Sequence, residues 1–205
     1  MELSESVNNE PYKFIYIENV LPQTYYNELV NWLENQNYEE GKPRLQNWYQ
    51  KDNNYFCTKW KYRYDRWKSK KYDDFLVKLE KYISQKTSNL IKKEICFNSC
   101  LINKYRDGND VIGPHRDCVE SFGVYPVITG ISIGGERTFR INKLIHNDKN
   151  MKSLKKEGLY RDIKLKNNSL LIMCGASQKY FSHEILKDDS QSKRYSLTFR
   201  EFITL

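Results

Sequence analysis

Past Glu94 the chain divides into short runs rich in β-branched and aromatic residues, and this punctuation constrains the fold more than any other feature. The runs cover residues 95–106, 111–116, 125–133, 138–141, 161–166, 169–174 and 193–202, with Asp107-Gly108, Gly134-Gly135 and Asn167-Asn168 marking turns between several of them. The first half reads differently. Pro22 opens a predicted helix through Gln36, with Tyr26, Leu29, Val30 and Leu33 on one stripe. A second is predicted from Tyr72 to Lys86, with Tyr72, Phe75, Leu76, Leu79, Tyr82 and Ile83 at helical spacing. Residues 13–18 alternate well enough for a short strand, and residues 1–11 read as a loose tail. Two helices followed by many antiparallel strands predict an α+β, mainly β, fold. It is a single domain over residues 1–205, with a jelly-roll or barrel core braced by N-terminal helices.

Residues 41–71 fit neither pattern, and a segment this long between elements tends to be functional. Between Lys42 and Lys71 there are ten Lys or Arg against two Asp, which accounts for the whole net charge of +8 and leaves the remainder neutral. Trp48, Tyr49, Tyr55, Phe56, Trp60, Tyr62, Tyr64 and Trp67 are interleaved with those cations. Cations among aromatics suit a phosphate backbone and unstacked bases. A coding bias towards Lys, Asn, Ile and Tyr explains plentiful lysine, but not its concentration in one window.

No apolar run approaches the roughly 18 residues of a membrane span, so no membrane partner is expected. The N-terminus is acidic and polar, unlike a signal peptide. Five cysteines without a C-x-x-C pair argue against a disulfide framework or zinc ribbon and for a reducing compartment. The expected location is intracellular, cytoplasmic or nuclear.

His115 and Asp117 stand two apart, so on an extended strand both side chains leave one face. An imidazole and a carboxylate together are two-thirds of the 2-His-1-carboxylate triad that holds Fe(II) and leaves positions open. Only two other histidines exist. His146 lies in a polar stretch and reads as solvated. His183, in YFSHEIL after a buried-looking run, would more often be a satisfied core residue than a ligand. In the last run, RYSLTFR, Arg194, Ser196, Thr198 and Arg200 share one face, and Tyr195, Leu197 and Phe199 share the other. The polar face is either ordinary surface or the lining of a barrel interior. In the second case its two arginines need anions, which a dicarboxylate would supply.

The string N-x-Y-x-x-G-x-D-x-I-x-x-H-x-D at residues 103–117, the distant His183 and RYSLTFR closely resemble the AlkB-like Fe(II)/2-oxoglutarate dioxygenases. PRLQNWY at residues 43–49 is similar to that family's nucleotide-recognition lid, and PVITGISIGGERTF at residues 126–139 to its central strands. The resemblance implies a double-stranded β-helix core over residues 95–205 and a lid over residues 41–71 within the 12–94 segment. It implies His115, Asp117 and His183 as iron ligands, with 2-oxoglutarate as cosubstrate and ascorbate as helper. It further implies Asn103, Tyr105, Arg194, Ser196, Thr198 and Arg200 around the 2-oxoglutarate. Arg194 would grip the distal carboxylate, and Arg200 would lie near the metal-bound one. The implied reaction is oxidative demethylation of N-alkylated bases in DNA or RNA, using O2 and releasing formaldehyde, succinate and CO2. Methylated nucleic acid, single strands favoured, is the expected partner of a monomer.

Two departures from the family pattern bear on specificity. Ser196 stands where many relatives have asparagine, and Val119 where several base-repairing relatives have an acidic residue; Glu120 is one place late. Arg44, Trp48, Tyr49 and Glu120 are the candidate substrate contacts, Trp48 and Tyr49 as an aromatic wall for a cationic base. Two alternatives stay open: the same chemistry on a protein side chain, and a catalytically silent nucleic-acid-binding module.

Overall fold

The computed structural model describes residues 1–39, 43–51, 69–145 and 156–203. In chain order the strands of the first half are β1 (Glu2–Val7), β2 (Glu10–Glu18), β3 (Leu45–Gln50), β4 (Lys70–Lys71), β5 (Ser99–Tyr105) and β6 (Ile112–His115). Those of the second half are β7 (Ile128–Gly134), β8 (Arg137–Leu144), β9 (Lys156–Leu165), β10 (Ser169–Gly175), β11 (Phe181–Ile185) and β12 (Arg194–Arg200). Two long helices, α1 (Gln23–Glu34) and α2 (Asp74–Ile91), precede the core strands, and two single turns, α3 (Val119–Phe122) and α4 (Ser177–Tyr180), interrupt them.

The strands form an eight-stranded sheet, β1-β2-β10-β7-β12-β5-β3-β4, and a four-stranded sheet, β6-β11-β8-β9. Together they make the expected jelly roll, a double-stranded β-helix. The large sheet is covered on both faces, which is why β10, SLLIMCG, reads as a nearly continuous apolar run. On β10, Leu170 and Ile172 join the helices' Leu29, Leu33, Leu76, Leu79 and Ile83 in one core, while Leu171 and Met173 join Phe139, Ile163 and Ile185 of the small sheet in another. On β12 the same alternation sends Tyr195, Leu197 and Phe199 to the helices and leaves Arg194, Ser196, Thr198 and Arg200 facing the space between the sheets.

Both helices follow from local rules. The Asp73 side chain caps α2 by accepting from the Leu76 amide (2.8 Å), and it also accepts from Trp32 Nε1 (2.7 Å), tying α2 to α1. α2 runs past the expected Lys86 to Ile91, because Thr87 is buried and its hydroxyl meets that of Thr129 on β7 (3.1 Å). Among the described residues no helix is long and apolar enough to cross a membrane.

Three strands correct the expectations. Residues 1–11 are no tail: β1 pairs with β2 along its length, through a two-residue turn in which Asn8 and Asn9 have φ of 51° and 63°. Asparagine is the residue that most readily takes that left-handed conformation after glycine. β3 lies inside the supposed irregular segment, buried along most of its length, so no polar-apolar alternation betrays it. β11, which carries His183, is a strand that falls between the marked runs 169–174 and 193–202.

Candidate metal centre and cofactor pocket

β6 and β11 are antiparallel neighbours, and their register sets His115 directly opposite His183, with ring centroids 4.3 Å apart. Asp117 follows two residues after the strand ends. One ligand atom from each of the three lies within 4.8 Å of the others. His115 Nδ1 carries its proton towards the Gly113 carbonyl (2.8 Å), which leaves Nε2 as the available lone pair. The His183 ring is stacked on Phe139 at 5.3 Å.

Asp117 is fixed from two sides. Its amide donates to Gln178 Oε1 (2.9 Å), presented by the α4 turn, and its carboxylate receives Arg200 Nε (2.5 Å) and Nη2 (3.2 Å). Burial alone would raise the Asp117 carboxyl, but the Arg200 guanidinium and the two imidazoles override it and hold it down at about 2. Burial, and then the neighbouring His115, push His183 down to about 3, and burial lowers His115 too, against the pull of Asp117. Near neutral pH the trio thus offers two neutral imidazoles and one carboxylate, the protonation state a divalent cation requires. This donor set fits Fe(II).

The trio opens on a cavity of about 500 Å³ between the sheets. At its closed end Arg194 is 2% exposed; its Nη2 donates to Ser132 Oγ (2.8 Å), while Nε and Nη1 find no hydrogen-bond partner among the described residues. The Tyr105 ring lies 5.0 Å from the same guanidinium. A buried cation with two idle donors fits a carboxylate. Asn103, Ser196 and Thr198 line the wall between Arg194 and the trio, and the Asn103 amide donates to Ser196 Oγ (3.4 Å). The pocket therefore has a cationic seat at one end, a metal trio at the other, and polar side chains between them, which suits 2-oxoglutarate.

The remaining expected residues divide. Trp48 lines the cavity, stacked on Phe122 of α3 with centroids 6.5 Å apart. Tyr49 does not, and this corrects the expectation that it forms part of an aromatic wall. One residue further along the strand, it faces the helices, where its hydroxyl donates to Gln36 (2.8 Å). Arg44 lines the cavity, but its Nε donates to Asn103 Oδ1 (2.7 Å). α3 puts Val119 and Glu120 on a helical turn; the Glu120 side chain lies outside the described set, as do His146 and residues 52–68 of the basic aromatic segment.

Several residues that the sequence does not single out also belong to the site, among them Gln178, Gln46, Ser132, Phe139 and Phe122. Phe122 is wedged between Trp48 and Phe202, with the Arg200 guanidinium 5.3 Å from its ring. In the sequence only its place five residues after Asp117 marks it.

Similarity to known proteins agrees with this chemistry. The sequence matches the 2OG-Fe(II) oxygenase superfamily across residues 13–200. Alpha-ketoglutarate-dependent dioxygenase alkB homolog 3 of Rattus norvegicus is 39% identical over 105 residues, 51% of this chain and 35% of that protein. The human protein of the same name is 37% identical over 105 residues, again 51% of this chain and 36% of its own length. DNA oxidative demethylase ALKBH2 of Arabidopsis thaliana is 31% identical over 117 residues, 51% of this chain and 37% of that protein. This chain thus spans little more than a third of the length of these relatives. The solved structure of OsALKBH1 shares the fold, with a TM-score of 0.60 at 14% identity over 92% of this chain and 97% of that one. With the match running through both histidines, the aspartate and both arginines of the pocket, the chain belongs to the 2OG-Fe(II) oxygenase superfamily, among its AlkB-type dioxygenases.

Proposed function

We propose that this protein is an Fe(II)/2-oxoglutarate-dependent demethylase of N-alkylated bases in nucleic acid. The observation that carries the reading is the pairing, in one cavity, of the His115–Asp117–His183 trio with the buried, half-satisfied guanidinium of Arg194. In this reading His115, Asp117 and His183 hold the iron, Arg194 the distal carboxylate of 2-oxoglutarate, and Asn103, Tyr105, Ser196 and Thr198 the rest of it. Bound Fe(II) and 2-oxoglutarate supply the oxidising chemistry, in which O2 hydroxylates the N-methyl carbon and the product falls apart to formaldehyde and the bare base, leaving succinate and CO2.

The protein's own contribution is to position and exclude. Arg200 and Gln178 keep Asp117 ionised and aimed, and Phe139 walls off one side of His183. Trp48 and Phe122 offer an aromatic surface at the mouth, suited to an unstacked base and best to a cationic one such as 1-methyladenine or 3-methylcytosine. The positive charge concentrated in residues 42–71 supports a nucleic-acid strand as the carrier of that base. A relative whose name is DNA oxidative demethylase supports the same direction.

The test is succinate formation from 2-oxoglutarate, with iron and ascorbate, in the presence and absence of a panel of methylated DNA and RNA oligonucleotides. Stimulation by methylated strands over unmethylated ones is expected. Succinate production indifferent to every oligonucleotide would point to a different substrate, such as a protein side chain.

A further inference from the structure

Four neighbouring strands of the large sheet carry one polar residue each at the same level. Gln46 on β3 pairs with Asn103 on β5, Asn103 with Ser196 on β12, and Ser196 with Ser132 on β7. All four are buried and all face the cavity. Arg194 joins the row at its far end through Ser132, and Arg44 joins it at the near end through Asn103.

Asn103 is the pivot of this row, and its grip is lopsided. Its Oδ1 accepts two bonds from the β3 side, from Arg44 Nε (2.7 Å) and from Gln46 Nε2 (2.8 Å). On the β12 side, among the described residues, its Nδ2 has only the long contact to Ser196 Oγ (3.4 Å). Serine is shorter than the asparagine many relatives carry there, so β12 reaches it weakly. A carboxamide can turn over by a half rotation, exchanging its oxygen and its NH2. Turning Asn103 over would set its N–H donors against the Arg44 guanidinium, which has no acceptor to offer. Gln46, itself a carboxamide, can turn with it, so Arg44 is the fixed reference and Gln46 the second donor. The turn would also aim the Asn103 oxygen at the carboxylate and carbonyl oxygens of an occupant of the pocket. Arg44 is itself anchored by donating from Nη1 to the Val111 carbonyl (3.3 Å), so it is not free to follow.

We propose that Arg44 and Gln46 are positioning residues for 2-oxoglutarate: by supplying two donors to Asn103 Oδ1 they fix its amide with the NH2 facing the cosubstrate. The first residues of the segment similar to a nucleotide-recognition lid thereby belong to the cosubstrate site. The inference rests on reading this cavity as a 2-oxoglutarate pocket and not on any nucleic-acid substrate.

The experiment is a calorimetric titration of 2-oxoglutarate into Mn(II)-loaded protein, without oxygen and without nucleic acid. It compares the wild type, Gln46→Leu, the Arg44→Met/Gln46→Leu pair, Asn103→Ala, and the pair combined with Asn103→Ala. One well-placed hydrogen bond to a charged ligand is worth roughly tenfold in affinity, so the pair should weaken binding by about that factor. Gln46→Leu alone should weaken it less, because Arg44 still forbids the flip. In the Asn103→Ala background the pair should add nothing, since no amide remains to be oriented. A role in packing alone would instead give losses that add. Mn(II) affinity should stay within about threefold of wild type in all variants, as the trio is untouched. Should the pair fail to hold Mn(II), Gln46→Leu with and without Asn103→Ala carries the same cycle at smaller amplitude. Unchanged 2-oxoglutarate affinity in the pair, or losses additive with Asn103→Ala, would overturn the inference. A wild type that binds Mn(II) but no 2-oxoglutarate would overturn the reading of the pocket, and the inference with it.

Discussion

Arg200 holds both carboxylate oxygens of Asp117, and neither side chain is more than 7% exposed. Removing one partner from such a buried pair strands the other charge, at about 3–5 kcal/mol. Arg200→Gln should therefore lower the thermal midpoint of the metal-free protein sharply. Added Mn(II) should restore more of it than in the wild type, because the cation replaces the lost positive charge beside Asp117. Differential scanning calorimetry with and without Mn(II) checks both halves.

Acid should destabilise the metal-free protein through the same trio. An unfolded histidine takes its proton near about 6.5, but His183 stays neutral in the fold down to about 3, and His115 is lowered as well. Below about 6.5 the unfolded chain binds more protons than the folded one, so stability falls as pH drops from there towards the folded value. Asp117 adds to this only further down, since its stabilisation is present above about 3.9 and is lost as pH falls through about 2. Replacing His183 by leucine should flatten the decline in thermal midpoint between about pH 7 and about pH 5. An equal slope in the two proteins would contradict the assignment of a buried neutral imidazole.

His115→Ala, Asp117→Ala and His183→Ala should each abolish tight Fe(II) or Mn(II) binding, while His146→Ala should leave it near wild type. Gln178→Leu should fall between these, weakening metal binding by roughly 10–100-fold, because it releases the backbone that aims Asp117 without removing a ligand. Equilibrium titration with Mn(II) separates the three classes.

How much of this the sequence discloses depends on what each residue faces. The helices and most core strands are legible because their apolar residues repeat at the period of the element. The trio is legible in part, through the two-residue spacing of His115 and Asp117. β3 is hidden because both its faces are buried and each carries a polar residue, Gln46 towards the cavity and Asn47 on the opposite face, so both look like loop residues. Tyr49 misleads for the same reason: in a loop it could join Trp48, and on a strand it cannot. Gln178 makes its contact from a single turn of helix to a backbone amide 61 residues away, and no local pattern announces that.

Arg194→Ala should leave a 2-oxoglutarate carboxylate without its charged partner, a loss of about 2–5 kcal/mol in binding. Arg194→Lys keeps the charge but not the planar fork, so it should also be impaired. Anaerobic titration of the Mn(II)-loaded variants is the check, and wild-type affinity in Arg194→Ala would refute the seat at the closed end.

Phe122→Ala should weaken the response to methylated strands, since base stacking on an aromatic is worth about 1–3 kcal/mol, and should leave 2-oxoglutarate binding intact. Oligonucleotide affinity by fluorescence anisotropy, beside the 2-oxoglutarate titration, distinguishes a substrate wall from a support of Arg200.

The most direct measurement is mass spectrometry of single-stranded oligonucleotides carrying 1-methyladenine or 3-methylcytosine, incubated with the protein, Fe(II), ascorbate, 2-oxoglutarate and O2. Loss of one methyl group per lesion, with formaldehyde released in equal amount and no reaction by His183→Ala, is the predicted result. Intact methyl groups on every DNA and RNA strand, alongside steady succinate production, would contradict the assignment of nucleic acid as the substrate.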